Sequence, residues 1–336
     1  MRSELWERRN GLVVLAVGAI LVGVAVSGSA YWLYLFCLVA IYAIVGIGFN
    51  VALGVAGQVT FAQVGFMAIG AYTSALLEVK EHWNPWLAIL AGVVFSAAVA
   101  ALVYLPFLRL RGHYLAMGTL ALALGVQSLA TNARGLTGGA LGVGDIPTMT
   151  IGGFAVDQTI DYFVLFWVAA GICLGVYHLL VSSHLGRAWR AVAARPDVPE
   201  SVGVSVSRVR LLALVVASGM AGLAGALFGQ FLSYVSPDYF DSVMIGNIFF
   251  VLIVGGSGQL AGPLIGAALV VLLPEQISFF GSWQNVAMLA VLLLWLILWP
   301  SGILGDGREL GSIRGLLPRR RRLPFAATRT RTQEAV

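Results

Sequence analysis

The sequence predicts an all-α, polytopic membrane protein of about ten transmembrane helices, with broken helices at two glycine-rich sites. Composition is the first reason: 59% of the 336 residues are hydrophobic and 10% are charged, against roughly a quarter charged in a soluble domain. So few charges cannot cover a surface in water. The second is length, because apolar stretches near 20 residues recur along the chain and a bilayer core of ~30 Å needs about 20 helical residues to cross. The third is the placement of arginine, which accounts for the net charge of +5 since Lys80 is the only lysine.

Apolar runs between breakers give spans at about 11–27, 30–53, 58–77, 85–105, 113–131, 160–182, 209–232, 243–258, 262–281 and 283–300. The first also has the make-up of a signal peptide, with Arg2, Arg8 and Arg9 before a short apolar stretch ending in Ser27-Gly28-Ser29-Ala30; a retained span is the reading adopted. Positive residues favour the cytoplasmic side of short loops. Ten alternating spans place the basic N-terminus, Arg109 with Arg111, the segment from His184 to Arg210 and the tail carrying Arg319 to Arg322 on that side. The same count sends Glu78 to Trp83, Asn132 to Asp161 and Ser233 to Asp241 outside. Both termini are expected in the cytoplasm, and the charge implies lipid, not nucleic acid, as its counterpart. Tyr31, Trp32, Trp83, Trp86, Tyr234, Tyr239, Trp283 and Trp299 fit interfacial belts. Residues 1–300 form the expected membrane domain and residues 301–336 a basic, disordered cytoplasmic tail.

Within the spans, Gly219, Gly222, Gly225 and Gly229 fall on nearly one face, and Gly262 and Gly266 repeat the four-residue spacing. Small residues let helices approach closely in lipid, so the expectation is packing. Two breaks look different: Gly54-Val55-Ala56-Gly57-Gln58 and Gly255-Gly256-Ser257-Gly258-Gln259 interrupt apolar runs. Broken helices at membrane depth expose backbone groups able to bind a polar solute. The likeness of the two breaks hints at an internal repeat, yet both fall on the cytoplasmic side, where inverted repeats would not put them. Asn50, Gln58, Thr60, Gln63, Tyr72, Thr73, Gln127 and Asn247 are the candidate substrate-path residues. Each can line a route or simply bond between helices; the cluster from Asn50 to Thr73 stands out because it surrounds a break. Asn132 and Gln230 belong to the same polar set.

Charges are absent from the span centres, with Glu275 toward the outer end of its span as the nearest case, which disfavours ion coupling within the chain. The loop 183–208 is basic and patterned. Asp197 followed by Glu200 reads as an N-cap with a reciprocal carboxylate, Pro199 fits a first turn, and Gly203 suits a turn end. With Arg187, Arg190, Arg195, Arg208 and Arg210 this segment offers a docking surface, or else merely fixes orientation. No phosphate-binding loop, zinc-hydrolase, nucleophile-elbow or dinucleotide motif occurs, so no catalysis is expected. Cys37 and Cys173 lie in apolar stretches and suggest neither a metal nor a disulfide.

Three stretches carry a resemblance: GFNVALGVAGQVTFAQVGFMAIGAYTSALL from Gly48 to Leu77; LRLRGHYLAMGTLALALGVQSL from Leu108 to Leu129 with LTGGALGVGDIP after it; and LGRAWRAVAARPDVPESVGVSVSRVRLLAL from Leu185 to Leu214, continuing to the GGSGQLAGPLIGAALVVLLPE block. Together they resemble the LivM-type permease subunits of branched-chain amino-acid ABC importers. The resemblance implies a permease in the bacterial inner membrane, paired with a second related permease and two cytoplasmic ATPases, and fed by an external solute-binding protein. ATP would be held by the ATPases, so no cofactor is expected in this chain. The coupling helix would lie around Arg187 to Gly203, with Glu200 and Gly203 at its Glu-x-x-Gly positions. Pro196 and Pro199 depart from the family there and predict a later start or a shorter helix. Thr137, Gly138 and Gly139 would face the binding protein. The implied solute is a branched-chain or other small amino acid, or a short amide. A self-sufficient facilitator or a non-transporting scaffold are the rival readings.

Overall fold

The computed structural model describes Leu21, Gly23 and residues 28–110, 112–151, 154–195, 197–201 and 203–277; these belong to one compact unit within Met1–Gly305. The spans expected at 11–27 and 283–300 and the basic tail lie outside the described residues.

The architecture is all-α. Helix α1 runs Ala30–Phe49 and passes into a π-helical turn, Asn50–Val55. Then follow α2 (Gln63–Val79), α3 (Pro85–Phe107) and α4 (His113–Asn132). The chain continues through the short α5 (Arg134–Thr137), a 3-10 turn at Gly139–Leu141 and a two-stranded antiparallel hairpin, β1 (Thr150–Ile151) and β2 (Phe154–Ala155). Helix α6 (Thr159–Ser182) leads into α7 (His184–Ala194) and α8 (Asp197–Ser201), then α9 (Val206–Leu232), a 3-10 turn (Pro237–Phe240), α10 (Ser242–Gly255) and α11 (Gly262–Ile277). Five of these segments are long and apolar enough to cross a bilayer: α1 with its π turn, α3, α4, α6 and α9.

Helix α9 is the hub, packed against α2, α3 and α1. Its glycines explain why. A Cβ on Gly225 would lie 1.9 Å from the Met67 carbonyl oxygen, and one on Gly222 would lie 2.5 Å from Ser96 Cβ. Across the same seam a Cβ on Gly70 would meet the Gly222 oxygen at 2.2 Å. Ser96 then bonds two neighbours at once, donating to the carbonyls of Phe66 at 3.1 Å and Ser218 at 3.0 Å. In lipid, where apolar exclusion gives no drive, such backbone approach and interhelical bonding hold helices together. Gly219 is the looser member of the expected stripe, with its nearest neighbour at 3.6 Å. Gly266 serves the α10–α11 pair in the same way, its Cβ position 1.8 Å from the Val251 oxygen.

Helix α2 begins at Gln63, not near residue 58, and residues 56–62 are non-helical. The π turn carries the preceding helix two residues beyond its expected end at 53. Glu78 is not in a loop: α2 runs on to Val79 and buries the carboxyl, 1% exposed. There it accepts bonds from Ser74 Oγ at 2.7 Å and from the Gln230 amide. The loop expected at 183–208 is largely helical, because Leu185, Trp189 and Val192 recur at helical spacing and Ser183 caps the Leu185 N–H at 3.1 Å. The connection from 132 to 159 is also built, with Lys80 Nζ donating to the carbonyls of Gly135 and Leu136 and Trp86 Nε1 donating to the Thr150 carbonyl at 2.8 Å.

Candidate functional site

The two glycine-rich breaks meet in space. Asn50, the first residue of the π turn and fully buried, joins them: Nδ2 donates to the Gln259 carbonyl at 2.7 Å and the Tyr177 hydroxyl at 3.0 Å, while Oδ1 accepts the Gly258 N–H at 2.7 Å. A π turn displaces one residue of a helix from its regular register and is frequent at functional sites. Gly54 is required by the contact, since a Cβ there would lie 2.0 Å from Asn50 Oδ1 and 2.4 Å from the Gly258 nitrogen. The second break turns through Gly256 and Gly258 at φ +101 and +77, a region that favours glycine. The likeness of the two motifs thus corresponds to a contact between them.

Beyond the π turn, several polar groups of residues 56–62 are held by neighbours within the segment or on other helices. Gln58 Nε2 donates to the Ala56 carbonyl at 3.2 Å. Thr60 Oγ1 lies 3.1 Å from the Tyr104 hydroxyl and accepts the Ala62 N–H at 3.3 Å. Phe61 N–H donates to Thr119 Oγ1 at 3.0 Å. Gln63 differs: it is 2% exposed and neither its amide nitrogen nor its oxygen has a partner. Phe61 and Phe49 flank Phe249 with ring centroids 5.1 Å and 6.2 Å away.

The structure therefore gathers Asn50, Gln58, Thr60 and Gln63 around one break. Tyr72 and Gln127 fall together elsewhere, on the 3-10 turn at Pro237–Phe240. Gln127 Nε2 donates to the Pro237 carbonyl at 3.4 Å, and the Tyr72 ring lies 6.4 Å from that of Phe240, its buried hydroxyl without a partner. Thr73 is turned to its own helix, donating to the Ile69 carbonyl at 2.7 Å. Asn247 bonds Tyr42 between α10 and α1.

Helix α7 sits beside the break. Fully buried Trp189 donates through Nε1 to the Val209 carbonyl at 2.9 Å, fastening α7 to the first turn of α9. A Cβ on Gly57 would lie 3.1 Å from Ala193 Cβ, so α7 and the break touch with only a glycine's room between them. Arg187 and Arg190 stand on the exposed face. This helix ends at Ala194, and Arg195 before Pro196 is extended, as the residue preceding a proline disfavours helix; the segment toward Gly203 continues only as the short α8. Asp197 lies within the first turn of α8 instead of capping it, and with Glu200 is exposed. Gly203 ends that turn at φ +83, its N–H bonded to the Glu200 carbonyl at 3.1 Å. Thr137 faces inward, donating to the Ala130 carbonyl at 2.6 Å.

Sequence reasoning missed Tyr177, Tyr104, Thr119 and Glu78. Nothing in a span's own sequence distinguishes a tyrosine that reaches a neighbouring break from one in an interfacial belt. The α7 periodicity, by contrast, was present to be read.

The profile of the family described as "Branched-chain amino acid transport system / permease component" matches residues 31–299. The high-affinity branched-chain amino acid transport system permease protein LivM of Escherichia coli (strain K12) is 32% identical over 290 residues, covering 80% of this chain and 68% of that protein. LivH, a permease protein of that system in the same organism, is 27% identical over 79% of this chain and 91% of its own. BraD of Pseudomonas aeruginosa, also a high-affinity branched-chain amino acid transport system permease protein, is 26% identical over 79% and 91%. No solved structure gives a significant match.

Proposed function

Since this chain belongs to the branched-chain amino acid transport system permease component family, we propose that it forms the solute pathway of an ATP-driven importer and passes branched-chain or other small amino acids, or related small amides. It works with a second related permease, two cytoplasmic ATPases that hold the ATP, and an external solute-binding protein. The protein is a multi-pass inner-membrane permease; in this reading both termini and α7 face the cytoplasm.

The observation that carries the coupling is the seat of α7. Its arginine face is open, while Trp189 fastens it to α9 and Ala193 lies against Gly57 of the break. A displacement of α7 by the ATPases then moves the Gly57 segment, and through Asn50 the second break at Gly258. Two arrangements of that joint would be the inward- and outward-open states, and ATP shifts their balance only by differential affinity for the two. The apolar outer faces of α3, α4 and α6, with Leu102, Met117 and Leu179 about 70% exposed, suit lipid or the second permease. The path residues are Asn50, Gln58, Thr60, Gln63, Tyr72, Thr73, Gln127 and Asn247, and Arg187, Arg190, Asp197, Glu200 and Gly203 belong to the ATPase contact.

Reconstitution tests the reading. With its partner permease, ATPases and binding protein in proteoliposomes, the chain should import leucine only when ATP is supplied to the ATPases. Leucine entry through this chain alone, without ATP, would establish a facilitator instead.

A further inference from the structure

Helix α2 has 17 residues and rises about 25 Å at 1.5 Å each, less than the ~30 Å apolar core of a bilayer, and the non-helical residues 56–62 precede it. The first N–H groups of a helix have no partner within it. Here the ladder opens with the Phe66 N–H on the Ala62 carbonyl at 3.0 Å, so those of Gln63, Val64 and Gly65 come before it. The cap residue Ala62 offers no side-chain bond, and the nearby hydroxyls point elsewhere: Thr60 Oγ1 takes the Ala62 N–H and Thr119 Oγ1 the Phe61 N–H.

Gln63 is itself the first residue of this helix. Helical Cα–Cβ bonds tilt toward the helix N-terminus, so this first residue carries its side chain toward the uncapped end. Both polar atoms of that side chain are buried and without a partner. Buried polar groups are almost always satisfied; an uncapped helix start and an unmet amide together form an incomplete site. What completes it needs acceptor oxygens for the N–H groups and for Nε2, and a donor for Oε1.

We propose that the start of α2, with the Gln63 side chain, is a station within the membrane for the zwitterionic head of the transported amino acid. The carboxylate takes the N–H groups of Gln63 to Gly65 and Gln63 Nε2, the ammonium donates to Gln63 Oε1, and Phe61 and Phe249 bound the aliphatic side chain. A helix N-terminus favours an anion through its dipole and its aimed donors, as half-helices in other carriers do for carboxylate. Gln63 is closed from solvent in this conformation, so solute reaches it after the break moves. The station deepens the permease reading and rests on it.

The test uses the full reconstituted complex with Gln63→Leu, a change of similar size that removes the two unmet atoms and leaves the helix start intact. Leucine uptake per ATP hydrolysed should fall tenfold or more, with complex assembly and thermal stability unchanged or improved; Gln63→Glu, which sets a like charge against the carboxylate, should fall further. A direct readout accompanies it: millimolar leucine should raise the melting temperature of the purified permease, leucinamide, which lacks the carboxylate, should not, and Q63L should respond to neither. Wild-type uptake per ATP in Q63L, or equal protection by leucine and leucinamide, overturns the station. A wild-type complex that imports no amino acid when ATP is supplied overturns the permease reading instead, while the melting comparison still decides the station.

Discussion

Replacing Asn50 with alanine removes the joint between the two breaks in one step. It strips the Gly258 N–H and the Gln259 carbonyl of bonds made at 2.7 Å and leaves the Tyr177 hydroxyl without its 3.0 Å partner. A buried polar group that loses its partner costs about 1–3 kcal/mol. Gly258 is half-buried, so water recovers part of the loss, and a total of about 2–4 kcal/mol is expected from the two backbone groups. At roughly 2–4 °C per kcal/mol for larger domains, the purified permease should melt about 4–16 °C lower, read by tryptophan fluorescence in detergent. Tyr177→Phe isolates the smallest bond: Asn50 keeps both breaks, and the loss should be about 0.5–1.5 kcal/mol. Asn50→Asp is a sharper probe, because a carboxylate oxygen replaces the donor facing the Gln259 carbonyl and should cost more than alanine. The reasoning is refuted if N50A melts with the parent protein, or if Y177F costs as much as N50A.

Other substitutions report on separate parts of the bundle. Gly225→Ala places a Cβ 1.9 Å from the Met67 oxygen and should sharply reduce the yield of folded protein, whereas Gly219→Ala, with 3.6 Å of room, should be tolerated; monodispersity on gel filtration distinguishes them. Glu78→Gln keeps an acceptor for Ser74 and puts an NH2 where the second oxygen took the Gln230 amide; turning the Gln230 amide brings its unpartnered Oε1 to that donor, so stability should change by less than about 1 kcal/mol, while Glu78→Ala leaves the Gln230 amide nitrogen unmet and should cost about 2–3 kcal/mol; equal melting temperatures for the two variants would contradict the assignment. Trp189→Ala removes the fully buried anchor of α7 and should cost about 3–5 kcal/mol, with faster tryptic cleavage after Arg187 and Arg190 as the specific sign that α7 has come loose. An unaltered digestion pattern would mean that α7 is held by other contacts.

Several of the element boundaries could be read from local chemistry. The span from 85 to 105 is found as Pro85–Phe107, with Asn84 capping the Trp86 N–H at 3.0 Å, and the span from 160 to 182 is found as Thr159–Ser182. The errors share one cause: they lie where a tertiary partner overrides the local pattern. Residues 58–62 are apolar enough to be helical, yet Thr60 and the Phe61 N–H bond Tyr104 and Thr119 from other helices. Glu78 looks like a loop acid until Gln230 and Ser74 supply donors that let α2 bury it.

By itself the sequence determined the membrane class, the spacing of the spans, the glycine seam and the two breaks, because lipid demands apolar length and close backbone approach from each segment independently. Only the tertiary structure decided that the breaks touch, that Asn50 joins them, that α7 rests against Gly57, and that Gln63 is buried without a partner. Those facts depend on residues as far apart in the chain as Asn50 and Gln259, and hydrogen bonds across such separations leave no periodicity in the sequence.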